Sequence, residues 1–378
     1  MPRFLFIAAQ NKPLSGGSEL LWSRVASALA GQGHSVVVSV PPEGAFSGEP
    51  TPGLRICVRQ SPSASLPNRL LGKLGRRFPS VEEAAFTEAL REGTPDLIVI
   101  NQPGFIEGVS WASEAGKRGL PYVLIVHNTH RWAWLHPKFA GEVAAIYRAA
   151  ARIDLLSDQA ENDLTDILGV DFRQAARFRN PYNVSFGDCP PFPPHTEGLS
   201  LAMVGRLDMR QKGYDLALRA LSGPAWKTRN VTLNMYGGGE FKEFIQAMAS
   251  RLGVARFNLH GHVTDIEGVW RTNHALLMPS RYEGLPIAMV EAMLSARLVI
   301  ATDVGGIAGW IRHGENGFLI PAATPRSVSR SLDEAWQARH RWEEMGQVAR
   351  RDALRLTSSD PVTEYAEGLL SLVVEVRR

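Results

Sequence analysis

Two carboxylates and two cations carry the strongest chemical signal in this chain. Glu283 and Glu291 both fall in Pro279–Met293 (PSRYEGLPIAMVEAM). The apolar run His274–Pro279 predicts a strand, Glu283–Gly284 a turn, and Pro286 falls where the first helical residue belongs, a place where proline costs no hydrogen bond. Such a helix start offers free N–H groups over Gly284–Ile287, a ready anion site. Two carboxylates flanking an amide-lined anion pocket suit a ligand with hydroxyls on both sides of a diphosphate. A capping Glu and a solvated Glu would read the same way, and this segment alone leaves both open. Val204–Tyr214 (VGRLDMRQKGY) shifts the balance, because Arg206 and Lys212 fall together on a turn between a strand and a helix. Two cations there clamp a pyrophosphate and stabilise it as it departs. Either cation alone would be an ordinary solvated turn residue; with the anion pocket beside them, the clamp is favoured.

These residues need a scaffold of strands and helices. Short apolar runs without alternation, which a parallel sheet covered on both faces demands, recur at Arg3–Ala9, Ser35–Val40, Asp96–Ile100 and Tyr122–Val126. Helical spacing separates them at Glu19–Ala30, Val81–Arg91 and Val109–Arg118. Pro181 to Pro194 carries five prolines and little periodicity and reads as a linker. Beyond it the pattern restarts with strands at Leu199–Val204, Val231–Tyr236, Phe257–Gly261, His274–Pro279, Val299–Ala301 and Phe318–Ile320. The expected organisation is an N-terminal Rossmann-like domain over 1–185, a second over 195–357, and a terminal helix within 358–378 that packs back on the first. Two such sheets joined by a hinge would leave a cleft between their carboxyl ends.

Composition narrows the classes. At 378 residues, 44% apolar and 21% charged, the chain has ample length for two cores. No apolar run approaches the ~18 residues of a membrane span. The opening MPRFLFIAA is short and lacks a cleavage pattern, so secretion by a leader is not expected. Cys57 and Cys189 are too few for a disulfide framework or a cysteine-rich metal site. A net charge of +3 is too mild to argue for nucleic acid. A cytoplasmic α/β protein is the expectation.

The motifs then become specific. Gly205–Arg206 with Lys212–Gly213, Tyr236–Gly239, Gly261–Val263, Pro279–Pro286 with Glu291–Ala292, Gly305–Gly306 and Gly314–Leu319 closely resemble, in order and spacing, the retaining glycosyltransferases of family 4. That resemblance covers essentially the whole C-terminal half. In the N-terminal half it rests on Gly16–Gly17–Ser18–Glu19 and on His127 directly after a strand. It implies the GT-B fold, two Rossmann-like doubly wound domains facing across a cleft, the first selecting an acceptor and the second holding a nucleotide-sugar donor. It further implies that Arg206 and Lys212 neutralise the departing diphosphate, Glu283 hydrogen-bonds the donor sugar, and Glu291 holds the ribose hydroxyls. The backbone of Gly284, Leu285, Pro286 and Ile287 would cradle phosphate. Val263 would meet the base, Gly238 would line the donor site, and Gly16 and Gly17 would let the first loop approach the donor. His127 would touch the sugar near the reaction centre. No metal or other cofactor is implied, and same-face attack is favoured over a covalent intermediate on Glu283. Two departures stand out: the Arg–Lys spacing is one residue longer than the common version, and Gly309 stands where the family often has Glu.

Other segments carry weaker signals. His127–Trp134 is unusually polar and aromatic for a loop after a strand, and Asn128, Trp132 and Trp134 form a candidate acceptor surface, with local packing as the alternative. His260-x-His262 has no third ligand nearby and reads as ordinary strand and turn histidines. Arg69–Phe78 mixes cations with leucines; a solvated face or acceptor loop is favoured over weak peripheral contact with the inner membrane face. Asn183-Val184-Ser185 matches a glycosylation sequon and reads as accidental. A sugar-nucleotide epimerase and a catalytically idle binding or scaffold homologue are the rival functions.

Overall fold

The continuous apolar runs form two all-parallel sheets in the computed structural model, which describes residues 1–9, 17–41, 46, 48–49, 51–59, 81–129, 133–194 and 198–378. The chain divides into two compact units, Met1–Pro181 with Asp360–Arg378, and Tyr182–Ser359.

The first unit is built on seven strands: β1 (Arg3–Ala8), β2 (Ser35–Val40), β3 (Leu54–Val58), β4 (Leu97–Gln102), β5 (Tyr122–Val126), β6 (Arg152–Leu155) and β7 (Ala175–Arg177). They lie in the order β3-β2-β1-β4-β5-β6-β7, each pair parallel. Every residue of β4 and β5 is buried, as strands covered on both faces must be. The helix Pro361–Val376 belongs to this unit. Asp360 caps it by accepting from the Thr363 N–H at 3.0 Å. Its inner stripe buries Tyr365, Ala366, Leu369 and Val373, and it packs against the helix Gly17–Gly31. Arg152 fixes it further, donating to the Gly368 carbonyl at 3.1 Å and to both oxygens of Asp154 at 2.7 and 3.0 Å, while the Tyr365 hydroxyl donates to Asp154.

The second unit repeats the plan with β8 (Leu199–Val204), β9 (Val231–Tyr236), β10 (Phe257–Gly261), β11 (Ala275–Met278), β12 (Leu298–Thr302) and β13 (Gly317–Ile320). Their order is β10-β9-β8-β11-β12-β13, again all parallel. In each sheet the chain winds outward from its first strand and then returns to that strand's other side. The reversal falls between β1 and β4 in one sheet and between β8 and β11 in the other. Open α/β sheets hold ligands outside the carboxyl ends at such a point.

Several elements had no clear signature in the sequence. Strands β3, β6 and β7 and the helices Pro137–Arg148 and Asp158–Leu168 are the main ones. Strand β3 lies at the sheet edge and is only half-buried. Strand β6 carries Asp154 in the middle of its apolar run, and that carboxylate is almost wholly buried because Arg152 and Tyr365 satisfy it. The Pro-rich stretch also differs from its reading as a linker. The N-terminal segment of the first unit ends at Pro181, and the residues from Tyr182 onward are tied onto the second unit. Tyr182 donates to the Ser358 carbonyl at 2.7 Å, and Arg297 donates to the carbonyl of Pro191 at 2.6 Å. Among the described residues no helix is long and apolar enough to cross a membrane.

The Arg152–Asp154–Tyr365 cluster makes a checkable prediction. Arg152→Met strands a buried carboxylate and should destabilise the first unit by ~3–5 kcal/mol, whereas Arg152→Met with Asp154→Leu should recover most of that loss. Urea unfolding followed by tryptophan fluorescence measures both; equal losses in the single and double variants would contradict the pairing.

Candidate active site

The two loops that carry the charged candidates leave the second sheet side by side, because β8 and β11 are hydrogen-bonded neighbours at the strand-order reversal. After β8 the chain is held to the loop after β9: Gly205 N–H donates to the Tyr236 carbonyl at 2.9 Å and Leu207 N–H to that of Gly238 at 2.8 Å. A Cβ at Gly237, whose φ is +141°, would fall 1.9 Å from the Gly205 carbonyl oxygen, so only glycine permits this contact. Asp208 then caps the short helix Met209–Lys212, accepting from the Arg210 N–H at 2.9 Å. That turn carries Lys212 across to the loop after β11, where its Nζ donates to Glu283 Oε1 at 2.7 Å.

Further ties lock the two loops together. Arg281 forms a two-pronged pair with Asp215 at 2.9 and 2.8 Å and donates to the Met209 carbonyl at 2.7 Å. The Arg281 N–H donates to the Gln211 carbonyl at 2.8 Å, and Gln211 Oε1 accepts from Arg206 at 3.1 Å. Arg206 itself is exposed, and the rest of its guanidinium fork has no partner among the described residues. The Arg281–Asp215 pair is not legible in the sequence, because Arg281 in the motif after β11 and Asp215 in the first turn of the helix Tyr214–Leu221 show no relation until the fold pairs them. Glu283 is supported from behind by the loop Gly305–Gly306. Gly305 has φ +57°, a Cβ there would lie 2.1 Å from the Glu283 carbonyl oxygen, and Gly306 N–H donates to the Gly284 carbonyl at 2.7 Å. At Gly238 and Gly309, by contrast, an added Cβ would meet open space.

The helix that follows spans Ile287–Leu294, one residue shorter at its start than the sequence reading. Pro286 is the N-cap: its φ of −69° suits a helix, but its ψ of 125° keeps it outside. No side chain caps this end, so its first N–H groups and the positive end of the helix dipole stay available to an anion. Leu285 and Pro286 are buried, and Gly284 and Ile287 half-buried. Inside the helix, Glu291 is only 3% exposed. Burial pushes its carboxyl above the usual range, and two donors from Asn183 counter that shift. The backbone N–H and Nδ2 of Asn183 both reach Glu291 Oε1, each at 2.9 Å. The second unit therefore brings Arg206, Lys212, Glu283, Gly284–Ile287 and Glu291 onto two adjoining loops and one helix, with Gly238 exposed beside Leu207 and Val263 following β10.

The remaining candidates lie in the first unit. His127 follows β5; its backbone N–H donates to the Gln102 carbonyl at 3.0 Å. Its Nε2 lies 2.8 Å from Asn101 Oδ1 at the end of β4, so the ring donates there, and Nδ1 is a bare acceptor without a partner among the described residues. The ring packs edge-on against Phe178. Burial pushes its pKa down to about 3, so the ring is neutral at physiological pH. Asn101 escaped notice because an amide inside an apolar strand reads as a flaw rather than a partner. Asn128 keeps a buried Oδ1 without a partner among the described residues, and Trp134 is 69% exposed. Gly17 begins the helix Gly17–Gly31. Gly16, Trp132 and Arg69–Phe78 lie outside the described residues. His260 stacks on Tyr236 and bonds Asn234 at 3.0 Å, and no group of three metal-binding side chains occurs among the described residues.

Known proteins match both halves. Residues 16–181 match the Glycosyl transferase 4-like domain, and residues 198–337 match Glycosyl transferases group 1. The chain carries two glycosyltransferase domains in series. Arg206, Lys212, Glu283 and Glu291 fall in the second of these, His127 in the first. The two glycosyltransferase domains have the GT-B fold. Their structure matches that of Anabaena HepE in complex with UDP and glucose with a TM-score of 0.75, at 19% identity over 98% of this chain and 100% of that one. The putative glycosyltransferase EpsD of Bacillus subtilis is 30% identical over 142 residues, which is 37% of either chain, so the match spans little more than a third of that relative. A phosphatidyl-myo-inositol mannosyltransferase of Mycobacterium leprae is 25% identical over 297 residues, covering 74% of this chain and 77% of its own.

The buried neutral His127 sets a pH dependence. Its folded pKa lies below the ordinary 6.5, so between about 3 and 6.5 the unfolded chain binds the extra proton and stability falls as the pH falls. His127→Asn should flatten this part of the stability curve by as much as about 1.4 kcal/mol per pH unit, one proton's worth. Denaturant titrations between pH 4 and 6.5 measure the slope; parallel curves for the two proteins would contradict a neutral buried ring.

Proposed function

We propose that the protein is a retaining glycosyltransferase that moves a hexosyl group from a nucleoside-diphosphate sugar to a hydroxyl acceptor. One observation carries this reading. An exposed Arg206, the Lys212–Glu283 pair and an uncapped helix start converge at the carboxyl ends of two adjacent strands. That arrangement matches the charge of a diphosphate leaving group lying beside a polyhydroxylated sugar.

Residue roles follow from donor counts. The Lys212 ammonium has three N–H donors and gives one to Glu283, which leaves two for phosphate oxygens. Arg206 adds a second cation. The N–H groups of Leu285 and Ile287 supply a fixed positive end that needs no reorganisation as charge develops. Glu283, held by Lys212, accepts from the sugar hydroxyls, and Glu291 accepts from the ribose. In the transfer the anomeric carbon–oxygen bond to phosphate breaks while a bond to the acceptor oxygen forms on the same face. The acceptor's proton passes to the departing phosphate oxygen. A covalent intermediate on Glu283 is disfavoured because the ion pair with Lys212 lowers that carboxylate's nucleophilicity. Two cations and a helix start cover the charge that a divalent metal otherwise covers, which supports a metal-independent reaction.

On the same reading His127, neutral and with Nδ1 unprotonated, accepts a hydrogen bond from the sugar near the reaction centre. The exposed Trp134 offers a stacking surface for an acceptor ring. The complex of HepE with UDP makes UDP-sugars the first donors to try.

Nucleoside diphosphate release from a panel of UDP-, GDP-, ADP- and TDP-sugars tests the proposal. Arg206→Ala and Lys212→Ala should each lower kcat by ~10²–10³, with Arg206→Ala, an exposed position, keeping the native melting temperature. A folded protein that releases no diphosphate from any donor, with a broad acceptor pool present, would sink the reading. Two further outcomes are expected: activity unchanged by EDTA, and NMR showing the donor's anomeric configuration kept in the product. Inversion would refute the same-face mechanism.

A further inference from the structure

In the sequence Asn183 is only the first residue of a sequon, and the structure gives it another occupation. Its backbone N–H and its Nδ2 both donate to one oxygen of Glu291, each at 2.9 Å. Glu291 sits in the middle of the helix Ile287–Leu294 and is almost fully buried, while Asn183 is exposed. The second carboxylate oxygen, Oε2, makes no hydrogen bond among the described residues. A carboxylate held at one oxygen by two converging donors cannot rotate freely, and its other oxygen is presented in a fixed direction.

We infer that Asn183 is a positioning residue for ribose recognition: it holds Glu291 Oε1 so that Oε2 faces the vicinal hydroxyls of a nucleoside diphosphate. The inference rests on the proposed donor role of Glu291 and adds to it a residue outside the helix and loops that carry the rest of the site. Recognition of this kind depends on direction. A carboxylate that accepts from a hydroxyl is satisfied only when one is present, and a site built for it rejects the analogue that lacks it. The backbone N–H of Asn183 survives substitution, so removing the side chain removes one of two donors and loosens the carboxylate without abolishing its anchor.

The same stretch of chain has a second anchor that serves as the control. Arg350 donates to the carbonyls of Phe186 and Gly187 at 3.2 and 2.5 Å and to that of Leu294. It fixes residues 186–187 without touching Glu291. If Asn183 merely holds the chain in place, losing Arg350 should have the same consequence as losing Asn183.

The experiment compares binding of UDP, GDP and ADP with that of their 2′-deoxy counterparts by calorimetry, in the full chain, for the native protein, Asn183→Ala, Asn183→Asp and Arg350→Met. The native protein should prefer its best ribonucleotide over the deoxy form by about tenfold or more, the scale of one hydrogen bond to a charged group. Asn183→Ala should bring that preference to within about threefold, largely through weaker ribonucleotide binding. Asn183→Asp, which faces Glu291 with a second carboxylate, should lose it altogether. Arg350→Met should lower the melting temperature and leave the preference intact. An unchanged preference in both Asn183 variants overturns the inference, and so does an equal loss in Arg350→Met. A native protein that binds ribonucleotide and deoxyribonucleotide equally refutes the diol role of Glu291 and the inference with it. A native protein that binds none of the diphosphates refutes the proposed function itself.

Discussion

The site in the second unit exists because strand order reverses between β8 and β11. Parallel strands need crossovers, and these are right-handed, so connections that run outward in opposite directions from a central pair of strands put their helices on opposite faces of the sheet. At the pair where the direction changes, the loops diverge and leave a crevice at the carboxyl ends. The turns Gly205–Lys212 and Pro279–Pro286 both open there, and no other adjacent pair in this sheet offers two diverging loops. The first unit repeats the reversal between β1 and β4, and its buried amide–imidazole pair, Asn101 and His127, sits on β4 and directly after β5.

Topology supplies the crevice, and electrostatics decides how it is filled. Glu283 is nearly buried, and a buried carboxylate is tolerated only with a charged or multiply donating partner. Lys212 is that partner, and its ammonium keeps two further N–H donors for a second anion. Arg281 and Asp215 neutralise each other, so they tie the loops together without adding net charge to the crevice. The unpaired positive potential is thereby concentrated on Arg206, the remaining donors of Lys212 and the bare start of the helix Ile287–Leu294. Net charge does not report such an arrangement: a value of +3 over 378 residues is compatible with a strongly directional local field.

Much of this was legible in the sequence, for reasons that differ from residue to residue. The inner strands could be read because burial on both faces demands unbroken runs such as LIVI in β4 and YVLIV in β5. The Pro286 helix start and the Arg206–Lys212 turn could be read because their residue types have few structural uses in that order. What escaped was whatever depends on a partner distant in sequence. Strand β6 looks unpromising until Asp154 finds Arg152 beside it and Tyr365 far along the chain. Asn101 looks like a polar defect in an apolar strand until His127 arrives from the next one. The prolines after Pro181 read as a linker, because proline content reports local stiffness and says nothing of what a stiff segment packs against.

That segment shows how one short helix joins separate requirements. At the N-terminus of Ile287–Leu294 the backbone offers donors to an anion; within it Glu291 holds Asn183; and just past its end Arg297 lies fully buried. Burial lowers the Arg297 pKa to about 10, which still leaves it cationic at neutral pH. Its guanidinium is satisfied by backbone carbonyls, among them those of Trp270, Asn273, Ser295 and Pro191. A buried charge with only carbonyl acceptors is costly unless several are aligned at once. Residues 190–191 therefore have little freedom to leave, since their departure would strip acceptors from a cation that cannot reach water. Nor can Glu291 be repacked independently, because Asn183 stands at the near end of the same segment. The carboxylate assigned to the ribose and the first residues of the second unit are thus parts of one rigid arrangement, organised around a helix of eight residues.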